Sequence, residues 1–354
     1  MGTRTVFLGS GDFAVPILEA LVEAPEVELV GVVTTPPKPA GRAGDLTATP
    51  VERRARALGL RVLAPEGLRD PATRDAIEAL DPELLVLSDY GRIVPQALLD
   101  VPPKGALNLH PSLLPRHRGA VPIPAAILAG DQVTGVTLMR MDAGLDTGPT
   151  VARVVVPLAG DEDAPGLEAR LSRVAADLLR GSLPGWLAGD LVAVPQSSEG
   201  ATLTRPFRRT DGRMDPTRSA VELDRQVRAI RPWPGTYLER AEGRLIVHEA
   251  AVAGARAPRR RQAPRRRLGG RPSGPGVGGR PGRRRPSGPA SAGARRRPRR
   301  AIAAVPVVPR LGGRPASAPA GARRRRAPRR RPRRASLRVT SSRWARARPR
   351  VSPW

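Results

Sequence analysis

Over the first 180 positions, short apolar runs alternate with segments in which apolar residues return every three or four positions. Thr5–Gly9 (TVFLG) has the pattern of a buried strand and is closed by the turn residues Ser10-Gly11-Asp12. Val15–Ala24 places Val15, Leu18, Leu21 and Val22 on one helical side. Val27–Thr35 reads as a second strand. Pro36–Pro50 has neither period and is rich in Pro and Gly, which predicts a long loop. Val51–Leu58 reads as a helix, Arg61–Leu63 as a short strand and Ala72–Leu80 as a helix. Leu84–Ser88 (LLVLS) lacks polar alternation, as expected of a strand covered on both faces. Ala106–His110 and Gly135–Met141 read as further strands, and Gly166–Arg180 as a helix with Leu167, Leu171, Val174 and Leu178 inward. This alternation predicts an α/β fold with a doubly wound, mostly parallel, Rossmann-like sheet over residues 1–181.

Residues 182–202 are turn-rich and read as a linker. A second unit covers 203–252, with a helix at Ser219–Ile230, the turn Pro232–Gly235, and strands at Thr236–Arg240 and Arg244–Ala250. About 50 residues bury too little to be secure alone.

Charge divides the chain further. The 354 residues carry 61 Lys plus Arg and 32 Asp plus Glu, a net of +29. All the acidic residues lie before position 253, where the net charge is −4; residues 253–354 hold 33 Arg and no acid. The average therefore does not make the whole protein a basic nucleic-acid binder. The tail is dominated by Arg, Ala, Pro and Gly, cannot bury a core and repels itself, so it is expected to be disordered. Two readings of it stand. It is the product of a shifted frame in a GC-rich gene, since these four residues have codons that begin with two G or C bases. Alternatively it is a genuine RNA-binding tail acting through phosphate contacts. Without Cys, thiolate catalysis, disulfides and Cys-ligated zinc are excluded, and three His make a His-rich metal site improbable. No apolar run approaches the roughly 20 residues of a membrane span, and no signal-peptide pattern opens the chain. A cytoplasmic protein with no membrane partner and no metal is the expectation.

An open parallel sheet binds ligands beyond the carboxyl ends of its strands. Gly9-Ser10-Gly11-Asp12, Asn108-Leu109-His110-Pro111 and Asp142–Gly148 would fall there. Gly9 and Gly11 alone indicate a tight strand-to-helix turn, because Ala14 stands where a third dinucleotide-motif Gly would be. Asn108 and His110 are two apart on a strand and point to one face. A His can work there as a general acid or base, and an amide donor beside it can stabilise an oxyanion. Asp146 could pair with His110 and favour its protonated form. Ser112 is a conceivable nucleophile, but no GxSxG elbow surrounds it.

Taken together, NLHPSLLPRHRGAVPI (Asn108–Ile123) and MDAGLDTGP (Met141–Pro149) resemble the folate-dependent formyltransferases, most narrowly those acting on methionyl-tRNA. GSGDFAVP (Gly9–Pro16), PAGR (Pro39–Arg42), DYGRIVP (Asp89–Pro95), DGRMD (Asp211–Asp215) and the PWPG turn extend the resemblance over roughly residues 3–250. It implies that 1–181 is a formyltransferase catalytic domain and that 203–252 is the first part of a small C-terminal β-barrel. Asn108, His110 and Asp146 would be catalytic, and 10-formyltetrahydrofolate the formyl donor. Ser112, Leu113, Leu114 and Pro115 would grip that donor, with Tyr90 and Gly91 nearby. Lys38 and Arg42, in the loop Pro36–Pro50, would contact an initiator methionyl-tRNA, and the enzyme would be a monomer. The chain departs from the family pattern at Gly44-Asp45, where a basic pair is usual, and at Pro124-Ala125, where Gln-Arg is usual. Pro124 is still compatible with a first helical turn. A sugar-nucleotide amine as acceptor, or hydrolysis of the formyl donor, would use the same three residues.

Overall fold

The computed structural model of the chain describes residues 2–40, 44–253 and 336–341. In chain order the first elements are β1 (Thr3–Gly9), α1 (Val15–Val22), β2 (Val27–Val33), β3 (Lys38–Ala40), β4 (Asp45–Thr47), α2 (Pro50–Ala57), β5 (Val62–Leu63) and α3 (Pro71–Glu78). Then come β6 (Leu84–Ser88), α4 (Gln96–Leu99), β7 (Ala106–His110), β8 (Arg118–Gly119), α5 (Pro122–Ala129), β9 (Val133–Arg140), β10 (Thr150–Pro157) and α6 (Ala164–Ala188). The second unit contributes β11 (Leu203–Thr204), α7 (Ala220–Ala229), β12 (Thr236–Arg240), β13 (Gly243–Ala253) and β14 (Ser336–Ser341).

A seven-stranded sheet has the order β10-β9-β7-β6-β1-β2-β5. The pairs β5–β2, β2–β1, β1–β6 and β6–β7 are parallel, while β9 runs antiparallel to both β7 and β10. Successive residues of one strand feed opposite layers, as the two-residue repeat of a strand requires. Phe7, Val86, Leu107 and Leu109 join one buried cluster with Leu18 of α1 and Leu171 and Leu179 of α6. Val6, Leu8, Leu85 and Leu87 join the other, with Ile77 of α3 and Leu98 of α4. The expected doubly wound, mostly parallel architecture is therefore present.

Several local expectations need correction. The long loop Pro36–Pro50 contains a hairpin, in which Lys38 faces Thr47 and Ala40 faces Asp45. The helix after it opens one residue early, at Pro50, with the Thr49 hydroxyl accepting from the Glu52 N–H at 3.0 Å. The helix expected to stop at Arg180 runs on to Ala188, so the linker placed at 182–202 starts only at Gly189, whose left-handed backbone caps the helix. Tertiary packing carries it past Pro184. Ser182 and Leu183 are buried, and the Trp186 indole donates to the Lys104 carbonyl at 3.1 Å. Strand β10 is not among the expected elements, although Val154–Val156 is an apolar run; it lies at the sheet edge, and most of its residues stay partly or fully exposed.

In the second unit α7 packs on β13, with Met214, Leu223, Val227 and Val247 forming a small core. The tail was expected to be disordered throughout. Instead Ser336–Ser341 pairs antiparallel with β13, giving a three-stranded sheet β12-β13-β14. Its sequence has no Pro or Gly and alternates Leu337 and Val339 with polar residues, a strand pattern inside a Pro-rich surrounding. The rest of the tail lies outside the described residues. Among the described residues no helix is long and apolar enough to cross a membrane, and no group of three or more His, Asp or Glu is arranged to hold a metal ion.

Candidate functional site

The carboxyl ends of β1, β6 and β7 open into a cleft of about 750 Å³. Asn108 and Asp146 line it, with Tyr90–Val94 on one wall and Met141–Leu145 on another. Phe13, Val121 and Ile123 add apolar surface, and Arg205 and Arg231 bring in the second unit.

Strand β7 is interior, with Asn108 paired to Leu87 of β6 and Met139 of β9. That double pairing fixes the direction of the Asn108 and His110 side chains. The Asn108 amide nitrogen lies 3.4 Å from Asp146 Oδ1. Asp146 Oδ2 accepts from the Gly119 N–H at 2.8 Å and lies 3.6 Å from His110 Nδ1. The other ring nitrogen, Nε2, is 2.9 Å from the carbonyl oxygen of His117. A carbonyl can only accept, so Nε2 carries hydrogen and Nδ1 is the nitrogen left to exchange a proton beside Asp146. His110 is buried, whereas Asn108 is only half-buried at the cleft.

The loop that carries Asp146 is built by its own sequence. The Asp142 carboxylate accepts from the Gly144 N–H at 3.0 Å and from the Thr147 hydroxyl at 2.8 Å. Gly148 is required, because a Cβ there would lie 1.9 Å from the Arg140 carbonyl oxygen. Asp146 itself sits in the left-handed region at φ 52°.

His110 is held from behind by residues outside the expected catalytic set. His117 also has left-handed backbone, φ 58°, which aims its carbonyl at the His110 ring. Its own Nε2 donates to Asp131 at 2.7 Å, and its N–H donates to the Thr202 hydroxyl at 2.8 Å. Burial pushes His117 below its usual pKa, with the nearby Arg116 charge adding to this and Asp131 opposing it, so the ring is neutral near pH 7. Arg116 forks onto the same Asp131 carboxylate. Gln196 joins Arg118 to the Asp146 loop. His117 lies inside the resembling motif and could have been noticed. Asp131, Gln196 and Thr202 have no local signal, since each acts across 14 residues or more.

Not every expected residue reaches the cleft. Tyr90 and Gly91 line it. Ser112, Leu113, Leu114 and Pro115 do not. The Ser112 hydroxyl is fully buried and donates to the Arg116 carbonyl, and Leu114 is buried with its N–H donating to the Thr137 hydroxyl at 3.2 Å. The Ser112 hydroxyl and the Leu114 N–H are spent on shaping the turn behind His110, and Pro111 is the segment's nearest cleft-lining neighbour. The same bonding removes Ser112 as a nucleophile. Lys38 is exposed on the β3–β4 hairpin and does not line the cleft; Arg42 lies outside the described residues.

Gly11 permits a close approach rather than binding a phosphate. A Cβ there would lie 1.8 Å from Asp89 Oδ2, and the Ser10 N–H donates to the Asp89 carbonyl at 3.0 Å. The Asp89 residue is exposed at the cleft, yet burial of its carboxyl against the surrounding protein, with the Glu168 and Asp12 charges adding to it, pushes its pKa up to about 7.

Known proteins resemble this arrangement over most of its length. Residues 3–181 match the formyl transferase family, and residues 207–276 match the formyl transferase C-terminal domain. A methionyl-tRNA formyltransferase of Halorhodospira halophila is 48% identical over 256 residues, covering 72% of this chain and 82% of that protein. One from Myxococcus xanthus is 45% identical over 251 residues, covering 71% and 80%. Among solved structures, a Helicobacter canadensis N-formyltransferase in complex with folinic acid and dTDP-3-aminofucose superposes with a TM-score of 0.55 at 16% identity. That match covers 71% of this chain and 88% of the other, and at such identity it speaks for the fold alone. With the paired domain matches and relatives this similar along most of their own length, the chain belongs to the formyl transferase family.

Proposed function

We propose that this chain moves the formyl group of 10-formyltetrahydrofolate onto the amino group of methionine esterified to initiator tRNA, in the cytoplasm. The observation that carries the reading is that Asn108 and Asp146 line one cleft, with the buried His110 ring 3.6 Å behind the Asp146 carboxylate, in a chain 44–48% identical to several proteins named methionyl-tRNA formyltransferase. The cleft suits a drug-sized ligand with an apolar body, since pockets for such ligands span roughly 300–1,000 Å³ and are mostly apolar with a few fixed polar groups. Tyr90–Val94 and Met141–Leu145 would flank the folate, with the Ser112–Pro115 turn behind Pro111 supporting that wall. The bound folate supplies the formyl carbon as electrophile.

The residues divide the work. The Asn108 amide donates to the formyl oxygen as that oxygen gains negative charge on attack by the amine. The attacking amine must lose a proton as the new C–N bond forms. His110 Nδ1 and the Asp146 carboxylate accept it, through water if the amine stands further off, and return it to the nitrogen that leaves. Asp146 stabilises the positive charge on the ring while the proton is held there. The Gly119 N–H keeps the carboxylate in place, and the His117 carbonyl keeps the ring in the tautomer that leaves Nδ1 free. No covalent enzyme intermediate is needed.

Arg205 and Arg231, on the side where the second unit joins the cleft, would meet acceptor-stem phosphates. Arg42, between Ala40 and Asp45 in the sequence, would do so as well, which makes affinity salt-dependent. The test is a formylation assay of the full chain on methionyl-tRNA, with uncharged tRNA, free methionine and a nucleotide-linked amino sugar as controls. Formylation of the amino sugar in preference to methionyl-tRNA would replace this acceptor assignment.

A further inference from the structure

The stretch marked by sequence as a linker reaches back into the site. Val194 and Thr150 exchange backbone hydrogen bonds at 2.8 Å each way. Two residues on, Gln196 Nε2 donates to the carbonyl oxygens of Asp146 at 2.9 Å and Gly148 at 2.6 Å. Its Oε1 accepts from Arg118 Nε at 3.1 Å and Nη2 at 2.8 Å. The guanidinium has only donors, so it fixes the amide with oxygen towards Arg118 and both hydrogens towards the Asp146 loop. Arg118 also precedes Gly119, whose N–H holds the Asp146 carboxylate. One dipeptide thus anchors both grips on Asp146, one on its main chain and one on its side chain.

The main-chain grip falls where it is needed. A non-glycine residue at φ 52° occupies a sparsely populated conformation, which persists only where the surroundings hold it. We propose that Gln196 is a positioning residue for formyl transfer: it holds the Asp146 peptide left-handed, and so keeps the Asp146 carboxylate against His110 and Asn108. The inference rests on the catalytic role proposed for Asp146. Without the two amide donors the Asp146 and Gly148 carbonyls lose their partner, and the loop can settle with the carboxylate displaced. A displacement of about 1 Å in such a group lowers the rate on the order of 100-fold.

The experiment uses the full-length chain with Gln196→Met, which keeps the side-chain length without donors, and Gln196→Glu, which keeps an oxygen for Arg118 but not the donors. Both variants should lose kcat by at least about tenfold while the KM for 10-formyltetrahydrofolate stays within about twofold. Added to Asp146→Ala, Gln196→Met should cause no further loss, because it acts through that residue. A group that merely stabilised the fold would instead lower the melting temperature and give multiplying losses. Wild-type kcat in the folded variants, or multiplying losses in the double variant, overturns the proposal. If Gln196→Met fails to fold, the kcat of Gln196→Glu decides alone. Full activity of Asp146→Ala by itself would sink the catalytic assignment rather than the clamp.

Discussion

Asp146→Asn changes almost nothing in shape and removes one charge, so its effect can be worked from the geometry. The carboxylate oxygen Oδ2 lies 3.6 Å from His110 Nδ1, and both side chains are largely screened from water. Opposite unit charges at that distance attract by about 4–5 kcal/mol at an effective dielectric of about 20. Hydrogen bonds already held by the carboxylate reduce what the ring feels, leaving about 2–4 kcal/mol at the point where the ring holds the proton. That is a fall of roughly 30- to 1,000-fold in kcat. The amide adds a second effect. To keep an acceptor on the Gly119 N–H, the new side chain must turn its NH2 towards Asn108 Nδ2, donor against donor. Asn108 would then rotate its own amide and lose its donor at the formyl oxygen. The assay is single-turnover formylation at saturating methionyl-tRNA, so that product release does not mask the chemistry. Folding is checked by the thermal melt, which should move little. An Asp146→Asn protein within threefold of wild type would refute both the charge argument and the proposed set, since neither the lost charge nor the turned Asn108 amide is compatible with so small an effect.

Other outcomes follow from single positions. Gly119→Ala places a Cβ 2.3 Å from the Thr204 carbonyl oxygen at φ 100°, so it should destabilise by about 1–3 kcal/mol and depress kcat by moving the Asp146 donor; an unchanged urea midpoint with full activity would contradict this. Burial and the facing carboxylates push Asp89 up to about 7 in the folded chain from its ordinary 3.8, so between these values the folded chain holds a proton that the unfolded one releases. Stability should therefore fall as pH rises from about 4 to about 7 and level off above, and urea titrations of Asp89→Asn should lack that slope. Arg42→Ala should weaken the use of methionyl-tRNA, increasingly so at low salt where phosphate contacts count most, and leave folate binding nearly unchanged; an equal loss of folate affinity would assign the hairpin loop to the donor instead.

Much of the site is local and was legible. The two-residue repeat of a strand puts Asn108 and His110 on one face whatever the rest of the fold does. The turn residues of Met141–Pro149 bind one another, Asp142 to Gly144 and Thr147, so that loop carries its own instructions. The apolar runs of β1, β6 and β7 announce strands buried on both faces, and with helices between them the layered sheet follows.

What the sequence could not supply is whatever depends on contacts between distant positions. Helix α6 outlasts Pro184 because Leu183 and Trp186 find partners elsewhere in the fold. Within Ser112–Pro115 the Ser112 and Leu114 side chains turn inward, because buried polar groups must be satisfied and the Arg116 carbonyl and Thr137 hydroxyl are there to satisfy them. The ring of His110 is oriented by a carbonyl seven residues away, which in turn is aimed by Asp131 and Thr202. Gln196 reaches Asp146 across 50 residues of chain. Periodicity and turn chemistry are properties of neighbours along the chain, so residue order alone determines them. The placement of a carboxylate within 3.6 Å of an imidazole is a property of neighbours in space, and only the pairing of β9 with β7, with the Gly119 N–H holding the carboxylate, brings those groups together.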